Sequence, residues 1–227
     1  DRVIFVGDSA HVVSPFGARG GNGGMHDVDN LGWKLASILK NNSSAKILST
    51  YNEERIEAAK ENIANSSRAT NFMTPKNKMA KIFRDQVLDL SLSNQFSRNL
   101  INSGRLSVPF KLGSLNLDNE FKDDPLLGSI YIDFPILDRK GNRLFVTDAL
   151  NHGYNLLSFS KTKIQSISNL NIIRVGEEND KDVDFIDFKG RGLERYRKDI
   201  DYLIRPDGYI VGIFKNASIK TLERYIL

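Results

Sequence analysis

Apolar residues recur at two different periods along this chain of 227 residues. Met25, Val28, Leu31, Leu35, Ile38 and Leu39 fall three or four apart, which predicts a helix with a buried stripe. That helix is expected to begin near Gly23, with Asn22 as its N-cap and Lys40 in its last turn. A second helix is predicted over about residues 45–68, with Leu48, Tyr51, Ala59 and Ile63 on one side. Thr74-Pro75, a capping residue followed by proline, announces a third, continuing through Met79, Ile82, Phe83, Val87 and Leu90. Ahead of these helices, Val3-Ile4-Phe5-Val6 is a short apolar run that reads as a buried strand. Past residue 126 the pattern changes to short strands at 129–134, 155–159, 170–175, 202–204 and 209–214. Short helices are expected at 193–198 and 219–226, and Asp207-Gly208 marks a tight hairpin turn.

The resulting order is α/β. The polar stretch between the two patterns carries Gly104, Pro109, Gly113 and a charged run from Asp118 to Asp124. It divides the chain into 1–104, a linker at 105–125, and 126–227. No apolar run approaches the roughly 18 residues of a membrane span. With no cysteine, disulfides, thiolate metal sites and cysteine nucleophiles are excluded. The net charge of +4 comes from scattered basic residues lying beside acids, so no nucleic-acid surface is indicated. The chain opens at Asp1 on the strand-like run, without a leader segment. It therefore reads as part of something longer, with a cytoplasmic placement expected.

The chemistry concentrates between Arg2 and Ala36. A strand ending at Gly7-Asp8 places a carboxylate where α/β sheets bind ligands, and there it can accept hydrogen bonds from ligand hydroxyls. Five of the eight residues from Gly17 to Gly24 are glycine, which lets backbone approach a ligand closely. A helix start behind them favours an electron-rich atom. Together these features describe half of a nucleotide or flavin site. His11 is expected to order the loop, and Arg19 faces either ligand or solvent. No calcium loop, zinc site or hydrolase triad is formed by Asp27-x-Asp29-Asn30, the histidines or Ser9.

This stretch resembles the second flavin motif of the FAD-dependent aromatic hydroxylases, the group A flavoprotein monooxygenases. The matching residues are Gly7, Asp8, His11, Pro15, Gly17, Gly20, Asn22, Asp27, Asn30, Leu31, Trp33, Lys34 and Leu35. Tyr51-x-x-Glu54-Arg55 is similar to the family too, and Arg205-Pro206-Asp207-Gly208-Tyr209 resembles its phenol-hydroxylase-like branch. The resemblance implies an incomplete FAD-binding domain remnant, strand plus helices, followed by a thioredoxin-like α/β domain. It implies FAD contacts at Gly7, Asp8, Pro15, Gly17, Gly20, Gly21 and Asn22, with Asp8 on ribityl or ribose hydroxyls and the Gly21 and Asn22 amides at the flavin O2. Family chemistry is reduction of FAD by NAD(P)H, oxygen addition, and hydroxylation of an aromatic small molecule.

The family's G-x-G-x-x-G fingerprint for the FAD diphosphate does not occur in this sequence. Losing four or five hydrogen bonds of about 1 kcal/mol each weakens binding by about a thousandfold or more. The expectation is a fragment that is inactive alone and completed by a missing N-terminal FAD and substrate portion. The rival is a non-catalytic thioredoxin-like module for dimerisation or binding, since Ser160-Lys161-Thr162-Lys163 stands where a redox thioredoxin carries C-x-x-C. The strand at 3–6, without sheet neighbours, is expected to be disordered, paired with another chain, or covered by the helices.

Overall fold

The computed structural model describes residues 3–15, 19–41, 43–101, 108–113, 120–161 and 167–226. They form two compact units, Asp1–Phe110 and Lys111–Leu227.

The first unit is helical. Its helices are α1 (Arg19–Asn41), α2 (Ile47–Met73), α3 (Lys78–Ser91) and α4 (Gln95–Ile101). The boundary between α2 and α3 differs from the sequence expectation. Thr74 closes α2, its N–H and hydroxyl both bonded to Thr70 O, and Asn77 caps α3 through Oδ1 to the Ala80 N–H at 2.9 Å. Residues 3–6 join no ladder among the described residues, and Val6 is extended. Tyr51 Oη donates to Phe5 O at 2.8 Å, a partial cover from α2, while Val3 and Phe5 remain 73% and 62% exposed.

The fully buried positions of α1 are polar or glycine. Gly23, Asp27, Asn30 and Lys34 are buried, whereas Met25, Val28 and Leu39 are exposed. These buried positions step by three or four residues, so they line one side of the helix. They meet Tyr51, Glu54, Arg55, Ala58 and Asn62 of α2, which are buried as well. Of the expected apolar stripe, Met25, Val28 and Leu39 lie in solvent, and Leu31, Leu35 and Ile38 are half-buried. The stripe on α3 is similar, with Val87 buried and Met79, Ile82, Phe83 and Leu90 exposed.

The second unit is built on one seven-stranded sheet. Its strands are β1 (Pro135–Leu137), β2 (Arg143–Phe145), β3 (Tyr154–Ser158), β4 (Leu170–Gly176), β5 (Phe185–Asp187), β6 (Asp201–Ile204) and β7 (Ile210–Phe214). The spatial order is β2-β1-β5-β4-β3-β6-β7. β3 is parallel to β4, and β4 to β5; β6 runs antiparallel to β3, and β7 to β6. Two short helices, α5 (Val146–Ala149) and α6 (Ile219–Leu222), complete it. Side chains alternating along the strands separate two cores. Leu157, Phe159, Ile173, Tyr202, Ile204 and Ile213 belong to one, and Tyr154, Leu156, Leu203, Val211 and Phe214 to the other.

Several local expectations shift here. Residues 131–134 form no strand, and Ile130 makes only an isolated bridge to Tyr209. Residues 193–198 are turns instead of a helix, interrupted upstream by positive φ at Lys189 and Gly190. Helix α6 is a single turn followed by further turns. The hairpin at Asp207-Gly208 forms between β6 and β7, where Gly208 has φ +81° and Arg205 N–H bonds Tyr209 O at 2.8 Å. Arg205 also grips Asp207 through two buried bonds of 2.8 and 2.7 Å, so the Arg-Pro-Asp-Gly-Tyr run is a structural turn.

Candidate functional site

The turn that carries Asp8 is a single 3-10 turn, Gly7–Ser9. Gly7 enters it at φ +57°, a backbone region that costs other residues more than glycine. Its Cα also lies against Gly24, where a Cβ added to Gly24 would come within 3.4 Å of it. The turn is closed by the N–H groups of Ala10 and His11, both bonded to Gly7 O at 2.9 Å. Asp8 itself is exposed.

Helix α1 starts at Arg19, four residues earlier than the sequence suggests, so Gly20, Gly21 and Asn22 belong to its opening turn. Amides in such a turn have no acceptor within the helix. A Cβ added to Gly20 or Gly21 would meet nothing within 4 Å, so the backbone there borders open space. Pro15 is exposed at a bend, and Gly17 lies outside the described residues. Arg19, expected to face ligand or solvent, is instead buried, donating to Asn62 Oδ1 on α2 and to Val108 O at 3.2 Å.

Asp27, matched to the flavin motif in the sequence but given no role there, organises this region. Its carboxylate is fully buried. Oδ2 accepts the Gly7 N–H at 2.9 Å and bonds His11 Nε2 at 2.7 Å, while Oδ1 accepts Arg55 Nε at 2.6 Å. One turn further along α1 lies a second polar clamp. Lys34 Nζ donates to Asn30 Oδ1 at 2.8 Å and to Glu54 Oε2 at 3.1 Å, and Asn30 Nδ2 donates to the same Glu54 oxygen at 2.6 Å. Two buried ion pairs therefore join α1 to α2.

Burial pushes the Asp27 carboxyl up, but the bonds from Arg55, Gly7 N–H and His11 outweigh it and hold the group below its ordinary value. Burial, and then the Asp27 charge, push the neighbouring Tyr51 hydroxyl up. A carboxyl depressed by folding binds fewer protons in the folded than in the unfolded state. Its stabilisation is complete above the unfolded value of about 3.9 and is lost as pH falls through the lower folded value. Urea midpoints followed from about pH 6 down to about pH 2 should show this acid limb, and Asp27→Asn should flatten it.

A cleft of about 860 Å³ opens between Val3, Ile4 and Phe5 and helix α2, with His11 and Asp27 in its wall. His11 is 7% exposed at its side chain, and its Nδ1 is buried without a hydrogen-bond partner. Among the described residues no cluster of His, Asp or Glu is arranged to hold a metal ion. No described helix is long and apolar enough to cross a membrane.

Residues 1–66 match the FAD binding domain family. The relatives and solved structures to which the chain is similar include aromatic hydroxylases. A 3-(3-hydroxy-phenyl)propionate/3-hydroxycinnamic acid hydroxylase of Escherichia coli (strain K12) is 27% identical over 170 residues, covering 74% of this chain and 30% of the relative. The enzyme of that name from Comamonas testosteroni is 35% identical over 88 residues, 39% of this chain and 15% of its own length. Among solved structures, CabE, an aromatic hydroxylase from angucycline biosynthesis, matches with a TM-score of 0.66 and 26% identity, over 99% of this chain and 44% of that one. Aklavinone-11 hydroxylase, solved with FAD and aklavinone, shares the fold at a TM-score of 0.71 and 23% identity, over 99% of this chain and 42% of its own. The chain thus spans less than half the length of these relatives.

Proposed function

We propose that the first unit supplies one side of an FAD site in an aromatic hydroxylase. The observation that carries this reading is Asp8, an exposed carboxylate on a turn packed against α1, the helix whose opening turn borders open space at Gly20 and Gly21. The donor set fits the group. Asp8 would accept the ribityl or ribose hydroxyls. Pro15 would lie beside the isoalloxazine, Gly17 and Gly20 would be further contacts, and the Gly21 and Asn22 amides would meet the flavin O2, where a helix start favours developing negative charge. Bound flavin supplies the redox and oxygen chemistry, and the protein positions it. The family resemblance implies NAD(P)H as the reductant, and the names of the relatives support an aromatic small molecule as the substrate.

The exposed apolar faces of residues 3–5, α1 and α3 would be covered by the FAD and substrate portion that this chain does not contain. The second unit is read as thioredoxin-like. Its strand order β4-β3-β6-β7, parallel in the first pair and antiparallel in the others, followed by α6, supports that reading. Without cysteine its role is structural.

Titration with FAD, followed by flavin fluorescence, tests the site. The chain should bind weakly, and Asp8→Ala should bind about ten- to a hundredfold more weakly, the worth of hydrogen bonds to a charged group. Equal affinity in the two proteins, or no binding by either, would overturn the proposal.

A further inference from the structure

We infer that Asp27 is the positioning residue of this site: its carboxylate sets the Asp8 turn against the opening turn of α1, and flavin affinity follows that setting. The inference rests on the flavin reading above. Asp27 lies beyond the opening turn of α1, yet two of its three partners flank Asp8 in sequence. Gly7, immediately before Asp8, gives its N–H to Oδ2, and His11, three residues after, bonds the same oxygen through Nε2. The stretch that presents Asp8 is therefore pinned at both ends to one atom. Arg55 holds the carboxylate from the other side through Oδ1, and its NH2 reaches Gly23 O at 3.4 Å. Glycine at 23 and 24 makes the arrangement fit, because a Cβ on Gly23 would stand 3.3 Å from the His11 ring.

The Glu54–Lys34–Asn30 clamp is an internal control. It joins the same two helices and is equally buried, and the three bonds given above for it run among Asn30, Lys34 and Glu54. A merely structural role for Asp27 would make the two clamps equivalent. A positioning role separates them.

The test compares Asp27→Asn with Glu54→Gln by amide hydrogen exchange, read at residues 7–11 and separately along α2, together with FAD titration. Both variants are expected to lose stability. In Asp27→Asn, protection of residues 7–11 should fall at least tenfold further than protection of α2, and FAD affinity should fall about tenfold beyond that of Glu54→Gln. If residues 7–11 and α2 lose protection in step in both variants, the inference is overturned. Unmodified protein provides a check that needs no variant to fold: a Gly7 amide exchanging at the rate of an unstructured chain would overturn it directly. Absence of FAD binding by the unmodified chain would sink the flavin reading and, with it, the affinity half of the inference. FAD bound equally by the unmodified chain and Asp27→Asn would sink the positioning role alone.

Discussion

Replacing Asp27 with alanine is expected to lower the stability of the helical unit by about 3–5 kcal/mol, the usual result of removing one partner from a buried ion pair. Arg55, only 6% exposed, would be left as a cation with its main counter-charge gone. The Gly7 N–H and His11 Nε2 would lose their acceptor in the same step. Each unpaired buried group adds about 1–3 kcal/mol unless water reaches it. Denaturant unfolding, with m-values compared to confirm that the same surface is exposed, measures the loss. A change below about 1 kcal/mol would mean that solvent already reaches the carboxylate and that the clamp is not the anchor described here.

The second large effect comes in two parts of opposite sign. Glu54→Ala removes the carboxylate paired with Lys34, whose side chain has no exposed surface, and is expected to cost about 3–5 kcal/mol. Replacing the whole cluster with apolar residues, as Asn30→Leu, Lys34→Met and Glu54→Leu together, should bring stability back to about the original value or raise it by about 1–4 kcal/mol. The reason is that two charges and an amide no longer need to be taken out of water. Should the triple variant be as unstable as Glu54→Ala, the cluster would be selecting one register between α1 and α2 that apolar packing does not reproduce.

The readable part of the fold follows period. β3, β4, β6 and β7 carry apolar runs long enough to reveal themselves, and Asp207-Gly208 names the turn between the last two. β1, β2 and β5 are three residues each, too short for any alternation to register. A turn signal did exist between β1 and β2: Asp138 Oδ1 accepts from the Lys140 and Asn142 N–H groups, and Gly141 takes φ +85°. The helix start at Arg19 was hidden because glycine is among the poorest helix formers, and the run from 20 to 24 is mostly glycine.

Within the candidate site, the Asp8 turn was legible from Gly7-Asp8, but the role of Asp27 was not. Apolar periodicity locates a stripe without saying which side of the helix is covered. The signal that could have found the true inner face was polar. Asp27, Asn30 and Lys34 on one helix repeat at the same spacing as Tyr51, Glu54 and Arg55 begin to do on the next, with opposite charges available in each set. Treating only hydrophobic residues as core hides such a pair, because buried charges are rare unless they are matched.

The inside-out arrangement of α1 gives its two sides different thermodynamics. The side toward α2 is held by buried charge pairs, which added salt screens far less than it screens surface charges. The opposite side, with Met25, Val28 and Leu39 in water, holds its free energy in hydration instead. Any protein body that closes over it will announce itself calorimetrically by a negative heat-capacity change on association. Cooling will loosen that outer layer while the charged seam beneath it stays shut.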